Sequence, residues 1–248
     1  MLIKNSVFLV TGGASDQYGI AAVEALLKEG GKVIICDFPT KDLHIYGDDK
    51  AIFLPINIMD ENDIKTLNEI IVEKYGRLDG VINCIDQQKF GLAYDFNKME
   101  PQDLKEFTEV VHENVLGPFN VIRLTIPLMS KNIPKKGSGR GIIINMSNAA
   151  AFDGVKGSIA YAASKAAVIK MTESLSYELQ GIQIRCVSIV TSSGGSDTLD
   201  EFDGIPEDST KAANVISEPQ KFADLIKTVI KNPAMNLPMM MLNNFNTS

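Results

Sequence analysis

No apolar run in this 248-residue chain reaches the roughly 18 residues that a bilayer crossing requires. A membrane span is therefore not expected, and because a strand-like run, SVFLVTGG, begins within the first ten residues, neither is a cleavable targeting segment. Positive charge is also in deficit. Twenty-four Lys and Arg against 31 Asp and Glu leave a net charge of -7, which argues against a general electrostatic hold on nucleic acid or anionic lipid while leaving room for a local basic patch. Cysteine is scarce: Cys36, Cys84 and Cys186 are odd in number, lack metal-ligand spacing and lie in or at the end of apolar runs. They read as core residues of a protein from a reduced compartment, and no metal site is expected.

What remains is an ordinary globular composition, 45% hydrophobic and 22% charged, long enough for one large domain over 1-248. Apolar runs alternate with segments of helical period: VFLVTG, IAAVEALLKEG, KVIICD, AIFLPIN, DIKTLNEIIVEKYG, LDGVINC, a long stretch from Pro101 to Lys131, GIIINMS, the segment around Tyr161, and IQIRCVSIV. The runs are continuously apolar rather than alternating, as in strands buried on both faces of a parallel sheet. The expected fold is a doubly wound α/β sheet, with ligands outside the carboxyl ends of its strands. Residues Pro134 to Gly141 read as a loop, and the acidic stretch 192-214 as a solvated surface segment.

Two local patterns carry chemistry. The first strand runs through TGGASDQYG into a helix, a setting in which glycines let the backbone approach a pyrophosphate at the helix N-terminus. Asp37 ends the second strand. A carboxylate there either terminates a turn or accepts hydrogen bonds from adenosine ribose hydroxyls and repels a 2′-phosphate, which favours NAD over NADP. The second pattern is YAASK, with Tyr161 and Lys165 one helical turn apart on one face. Such a pair occurs on many amphipathic helices. As a proton-exchanging site it relies on the neighbouring cation to favour the phenolate, by roughly 3 units or about 4 kcal/mol for work near neutral pH.

Taken in order, TGGAS, Asp37, INC at 82-84, Asn114 in ENVLGPFNVIRL, and YAASK resemble the short-chain dehydrogenase/reductase family along nearly the whole chain. NVIRL, GSGRGIIIN, AAFDG and IKNPAMN resemble its type-2 3-hydroxyacyl-CoA dehydrogenase branch. The resemblance implies a Rossmann fold and NAD as cofactor, held by Gly12, Gly13, Ser15, Gly19, Asp37, Asn57 and Asn83. It implies Tyr161 as acid/base, Lys165 to tune it, Asn114 to hold a relay water, and Asn148 at the place of the family's serine. It further implies an oligomer formed through the helices at 101-131 and 158-180, a mitochondrial location, and 3-hydroxyacyl-CoA or steroid alcohols as substrates. A cytoplasmic location fits the composition equally well.

The chain departs from the family pattern along most of the cofactor's length, with Asn57 standing where the family has an adenine-contacting Asp, while Asp37 is retained. The glycine loop has one extra residue and lacks its middle glycine, so Asp16 or Gln17 falls at the helix N-terminus, where Asp16 can serve as a cap worth about 1 kcal/mol. Asn83, Cys84, Ile85 and Asp86 replace Asn-Ala-Gly, and Thr191 and Ser192 replace Pro-Gly. The amide of Asn148 donates hydrogen bonds but does not pass a proton as a hydroxyl does. Ser147, next to it, points to the other face unless a bulge intervenes. Three readings follow: a catalytically degenerate member kept as a structural or interaction subunit, with no cofactor bound; an active NAD-dependent dehydrogenase; or a scaffold in an RNA-processing complex, which the acidic balance supports little.

Overall fold

The computed structural model describes residues 1-38, 50-135, 137-191 and 219-242. The acidic stretch 192-214 and Ser192 lie outside the described residues. Seven strands form one parallel sheet: β1 (Val7–Thr11), β2 (Lys32–Asp37), β3 (Ala51–Pro55), β4 (Gly80–Asn83), β7 (Gly141–Asn148), β8 (Ile184–Thr191) and β9 (Met239–Met241). Their order across the sheet is β3-β2-β1-β4-β7-β8-β9. An antiparallel pair of two-residue strands, β5 (Tyr94–Asp95) and β6 (Glu100–Pro101), stands apart. The expected doubly wound architecture is thus present. Because the chain builds outward from β1 to β3 and then returns to the other side of β1, the sheet's switch point falls between β1 and β4.

Alternate residues of each strand feed two cores. Phe8, Val10, Val33 and Ile35 pack with Phe222 and Ile226 beneath α1 (Gln17–Lys28) and α6 (Pro219–Lys231). Leu9, Ile34 and Ile143 pack with Ile64, Leu67 and Val121 on the opposite face, which α2 (Glu61–Tyr75), α4 (Gly117–Ser130) and α5 (Ile159–Glu178) cover. Burial on both faces explains the unbroken apolar runs. Cys36, Cys84 and Cys186 are free and buried, with burial pushing each thiol up, Cys186 to about 12. No helix among the described residues is long and apolar enough to cross a membrane.

The stretch 101-131 is not a single helix. It divides into α3 (Leu104–Val111), a π-helical turn at His112–Leu116 and α4. The wide turn carries Asn114 inward, where it is buried.

A polar ladder crosses the sheet just below the strand ends. Thr11 Oγ1 donates to Asn83 Oδ1 (3.1 Å), Asn83 Nδ2 to Asn145 Oδ1 (2.8 Å), and Asn145 Nδ2 to Thr172 Oγ1 on α5 (2.8 Å). All four residues are buried, so each depends on its neighbour for satisfaction. Asn145→Ala should leave the buried Asn83 amide without its acceptor, while Thr172 keeps its hydrogen bond to Val168 O, and lower stability by about 2–3 kcal/mol in urea unfolding. An unchanged midpoint would show that the ladder holds nothing.

Candidate active site

The site is built where β1, β4 and β7 end beside α5. After β1 the chain turns at Gly12, whose φ of +68° is left-handed and whose missing Cβ would lie 3.0 Å from the Cys84 carbonyl oxygen. Gly19 brings α1 against this turn, since a Cβ there would come within 2.1 Å of the Gly12 carbonyl oxygen. Gly13 is likewise enclosed, by the side chains of Val10, Val23 and Ile35. These glycines thus let the turn, the helix and the strands pack closely.

The helix N-terminus that they expose is occupied from within. Asp16 is the N-cap of α1, accepting from the backbone N–H of Tyr18 (2.8 Å) and Gly19 (3.1 Å). Burial raises its carboxyl to about 6, opposed by the Gly19 hydrogen bond and reinforced by the charge of Asp86. Asp37 is similarly committed. Its Oδ2 accepts from Ala14 N (3.1 Å), Ser15 N (2.9 Å) and Ser15 Oγ (2.8 Å), and its Oδ1 from Phe38 N (2.9 Å).

Tyr161 and Lys165 lie on one face of α5 as their spacing predicts, and both are buried. Their electrostatics differ from the expectation. Lys165 Nζ is 2.7 Å from Asp86 Oδ1, and the Tyr161 hydroxyl donates to Asp86 Oδ2 at 3.2 Å. Burial pushes the Asp86 carboxyl up, but the Lys165 ion pair more than offsets it and holds it below the usual carboxylate range. Tyr161 moves the other way. Burial, the Asp86 charge and the hydrogen bond to Asp86 all raise its phenol above the ordinary value. The expectation that a neighbouring cation lowers Tyr161 is corrected: Asp86 spends that cation's field and stabilises the protonated phenol.

The remaining predicted residues are placed as follows. Asn148 lies at the end of β7, where its Oδ1 accepts from Ala150 N (2.9 Å) and its Nδ2 donates to Thr191 Oγ1 (3.1 Å). Strands β7 and β8 pair residue for residue through Asn148 and Thr191, with no bulge. Ser147 accordingly points away, donating to the Lys165 carbonyl at 2.8 Å. Asn114 accepts from Gln87 N and donates to Gln87 O and Ser164 Oγ, so both of its N–H groups are used. Asn83 belongs to the buried ladder rather than to the cleft surface. Asn57 is exposed, caps its own turn through Met59 N, and lines a hollow of about 240 Å³ with Phe38 and Ile85.

The cleft itself, about 250 Å³, is lined by Gly12, Ser15, Gln87 and four carboxylates, Asp16, Asp37, Asp86 and Glu113. The sequence marks Asp86 as part of the departure from Asn-Ala-Gly but does not pair it with Lys165, and it gives no sign of Glu113. The available signal was position: Asp86 follows β4 at the switch point, facing the helix that carries Lys165. No group of His, Cys, Asp and Glu among the described residues is arranged to hold a metal ion.

This arrangement of sheet, glycine turn and Tyr-x-x-x-Lys helix is a Rossmann-type framework of the oxidoreductase class. Residues 6–202 match the family model described as short chain dehydrogenase, and the chain belongs to that family. It is 36% identical to a Drosophila melanogaster protein named 3-hydroxyacyl-CoA dehydrogenase type-2, over 95% of this chain and 94% of that one. The Homo sapiens protein of the same name is 31% identical, over 94% and 92% of the two chains. Among solved structures, a 3-hydroxyacyl-CoA dehydrogenase type-2 from Mycobacterium avium superposes with a TM-score of 0.81 at 24% identity, covering 98% of this chain and 97% of that one. A short chain dehydrogenase from Leptospira borgpetersenii with bound NAD+ superposes with a TM-score of 0.78 at 21% identity, covering 97% and 92%. The last two show the shared fold.

The raised carboxyl of Asp16 sets a pH signature. Its folded value of about 6 exceeds the ordinary 3.8, so ionisation above pH 6 costs stability, and this cost is relieved as pH falls from about 6 to about 4. Two units correspond to about 3 kcal/mol at most. Asp16→Asn keeps the capping oxygen without the charge. Its stability advantage over the unaltered protein should grow by up to that amount between pH 4 and pH 7 in parallel denaturation series, and a constant difference would contradict the assignment.

Proposed function

We propose that this chain is a catalytically degenerate short-chain dehydrogenase, retained as a structural or interaction subunit of a larger assembly. The observation that carries this reading is the Asp86 carboxylate seated against both Lys165 and Tyr161. The family's cofactor is a nicotinamide dinucleotide with an anionic pyrophosphate, and the residues here do not fit it. Asp16 takes the N–H groups that such an anion uses, Ser15 and the loop amides take the acceptors of Asp37, and Asp86 takes the ammonium of Lys165. A dianion entering beside four carboxylates is repelled by each of them. Asn148, fixed between Ala150 and Thr191, supplies no hydroxyl.

The subunit role is supported by the helices at 101-131 and 158-180. Leu104, Leu116 and Phe119 on the first, and Ile159 and Tyr177 on the second, are exposed apolar side chains of the kind that homo- or hetero-oligomer contacts cover.

A second reading, an active NAD-dependent dehydrogenase oxidising 3-hydroxyacyl-CoA or a related secondary alcohol, is favoured by the 36% identity to a relative of that name and by the presence of Tyr161, Lys165 and Asn114. It requires Asp86 to leave Lys165. Titration with NADH separates the two. The degenerate reading expects no saturable binding up to about 1 mM and no activity for Tyr161→Phe to abolish. Saturable binding with a raised melting temperature, and turnover lost in Tyr161→Phe, would establish the dehydrogenase.

A further inference from the structure

Charge in this acidic protein is sorted between the two ends of the sheet. At the carboxyl ends of the first four strands stand Asp16, Asp37, Asp60 and Asp86. At the opposite end, Lys4, Lys32, Lys50, Arg77, Lys135 and Arg140 precede or open strands. The carboxylates described in these entry segments, Glu29 and Asp79, are already paired, Glu29 with Lys231 (2.8 Å) and Asp79 with Arg77 (2.6 Å). Helix C-termini favour nearby cations, which accounts for Lys28, Lys74 and Lys231. Helix ends and strand entries share this side of the sheet, so Arg77, next to the α2 cap Gly76, lies in the same field, whereas Lys4 and Lys135 follow no helix end directly.

A cavity of about 460 Å³ opens at this basic end, larger than the cleft. Lys135, Ser138, Ser176, Gln180, Arg185 and Asn236 line it, from the loop before β7, the end of α5, the start of β8 and the link from α6 to β9. Arg185 has no counter-anion among the described residues. Its terminal nitrogens donate to the carbonyls of Val229 (2.9 Å), Ile230 (3.2 Å) and Met235 (3.3 Å), and its buried Nε has no acceptor. Burial lowers the guanidinium pKa, and the Val229 and Ile230 carbonyls that meet it lie in the last turn of α6, so this charge faces a helix end and, among the described residues, no carboxylate. Lys135 lies 3.8 Å from Asp79, a carboxylate already engaged by Arg77.

We propose that this cavity is a second binding site, one that takes a small phosphate-bearing anion. The serine, glutamine and asparagine side chains around it supply hydrogen bonds of the kind that an oxyanion accepts, Arg185 and Lys135 supply the charge, and the cationic end of the sheet concentrates anions there. The inference does not depend on whether the cleft is active, because the two sites lie at opposite ends of the strands.

Inorganic pyrophosphate is the probe, titrated into the full chain and followed by calorimetry and by amide chemical shifts. Saturable binding is expected, with shifts centred on Ser138, Gln183 and Asn236. Lys135→Gln removes an exposed cation and Asn236→Asp adds a carboxylate at an exposed position, and each should weaken binding about fivefold or more. The proposal is overturned by absent binding at about 10 mM pyrophosphate, or by affinity unchanged in both variants. Shifts centred on Gly12 and Ser15 would also overturn it, and would separately contradict the anion-excluding account of the cleft.

Discussion

The buried contact between Asp86 and Lys165 decides how the rest of this structure reads. Lys165 is 1% exposed, and an ammonium so placed is costly unless a counter-charge accompanies it. In a dehydrogenase of this family, the lysine serves a cofactor and tunes a tyrosine. Here the counter-charge is a carboxylate from the loop after β4, and the same carboxylate accepts the tyrosine's proton donor. One interaction thus stabilises the lysine, fixes the phenol in its protonated form and places negative charge in the cleft.

That exchange extends along the cleft. Asp16 does for the α1 N-terminus what Asp86 does for Lys165, supplying from within the chain an anion of the kind that the fold ordinarily receives from a ligand. The glycine turn, the switch point and the helix bearing Tyr161 all keep their geometry, because they are also what holds β1, β4, β7 and α5 together. Packing and chemistry use the same elements but different atoms. The contacts that hold the fold therefore do not require a bound anion.

Much of the architecture was legible before any coordinates. The unbroken apolar runs in VFLVT, KVIICD and GIIIN require burial on both faces, and TGGAS before an amphipathic helix places the first turn. The inserted residue in that turn narrowed the helix end to Asp16 or Gln17, of which Asp16 is the cap, and period-2 alternation correctly turned Ser147 away from Asn148. What was not legible involves residues distant in sequence. Asp86 and Lys165 are far apart in the chain, and only the strand order shows that the loop after β4 faces α5. The π turn at Asn114 left no mark in the hydrophobic period of 101-131, and the ladder through Asn83 requires the register of three strands. The field of Lys165 was read locally, as a cation beside a phenol, when its nearest partner, Asp86, comes from the loop after β4.

The central claim is that carboxylates of the chain itself stand in place of a bound anion. The direct measurement is NADH affinity in Asp16→Asn/Asp86→Asn, which removes both charges while preserving side-chain shape, compared with the unaltered protein by fluorescence titration. The account predicts that affinity rises by at least about tenfold in the double variant. An unaltered protein that binds NADH as tightly as the variant would contradict it.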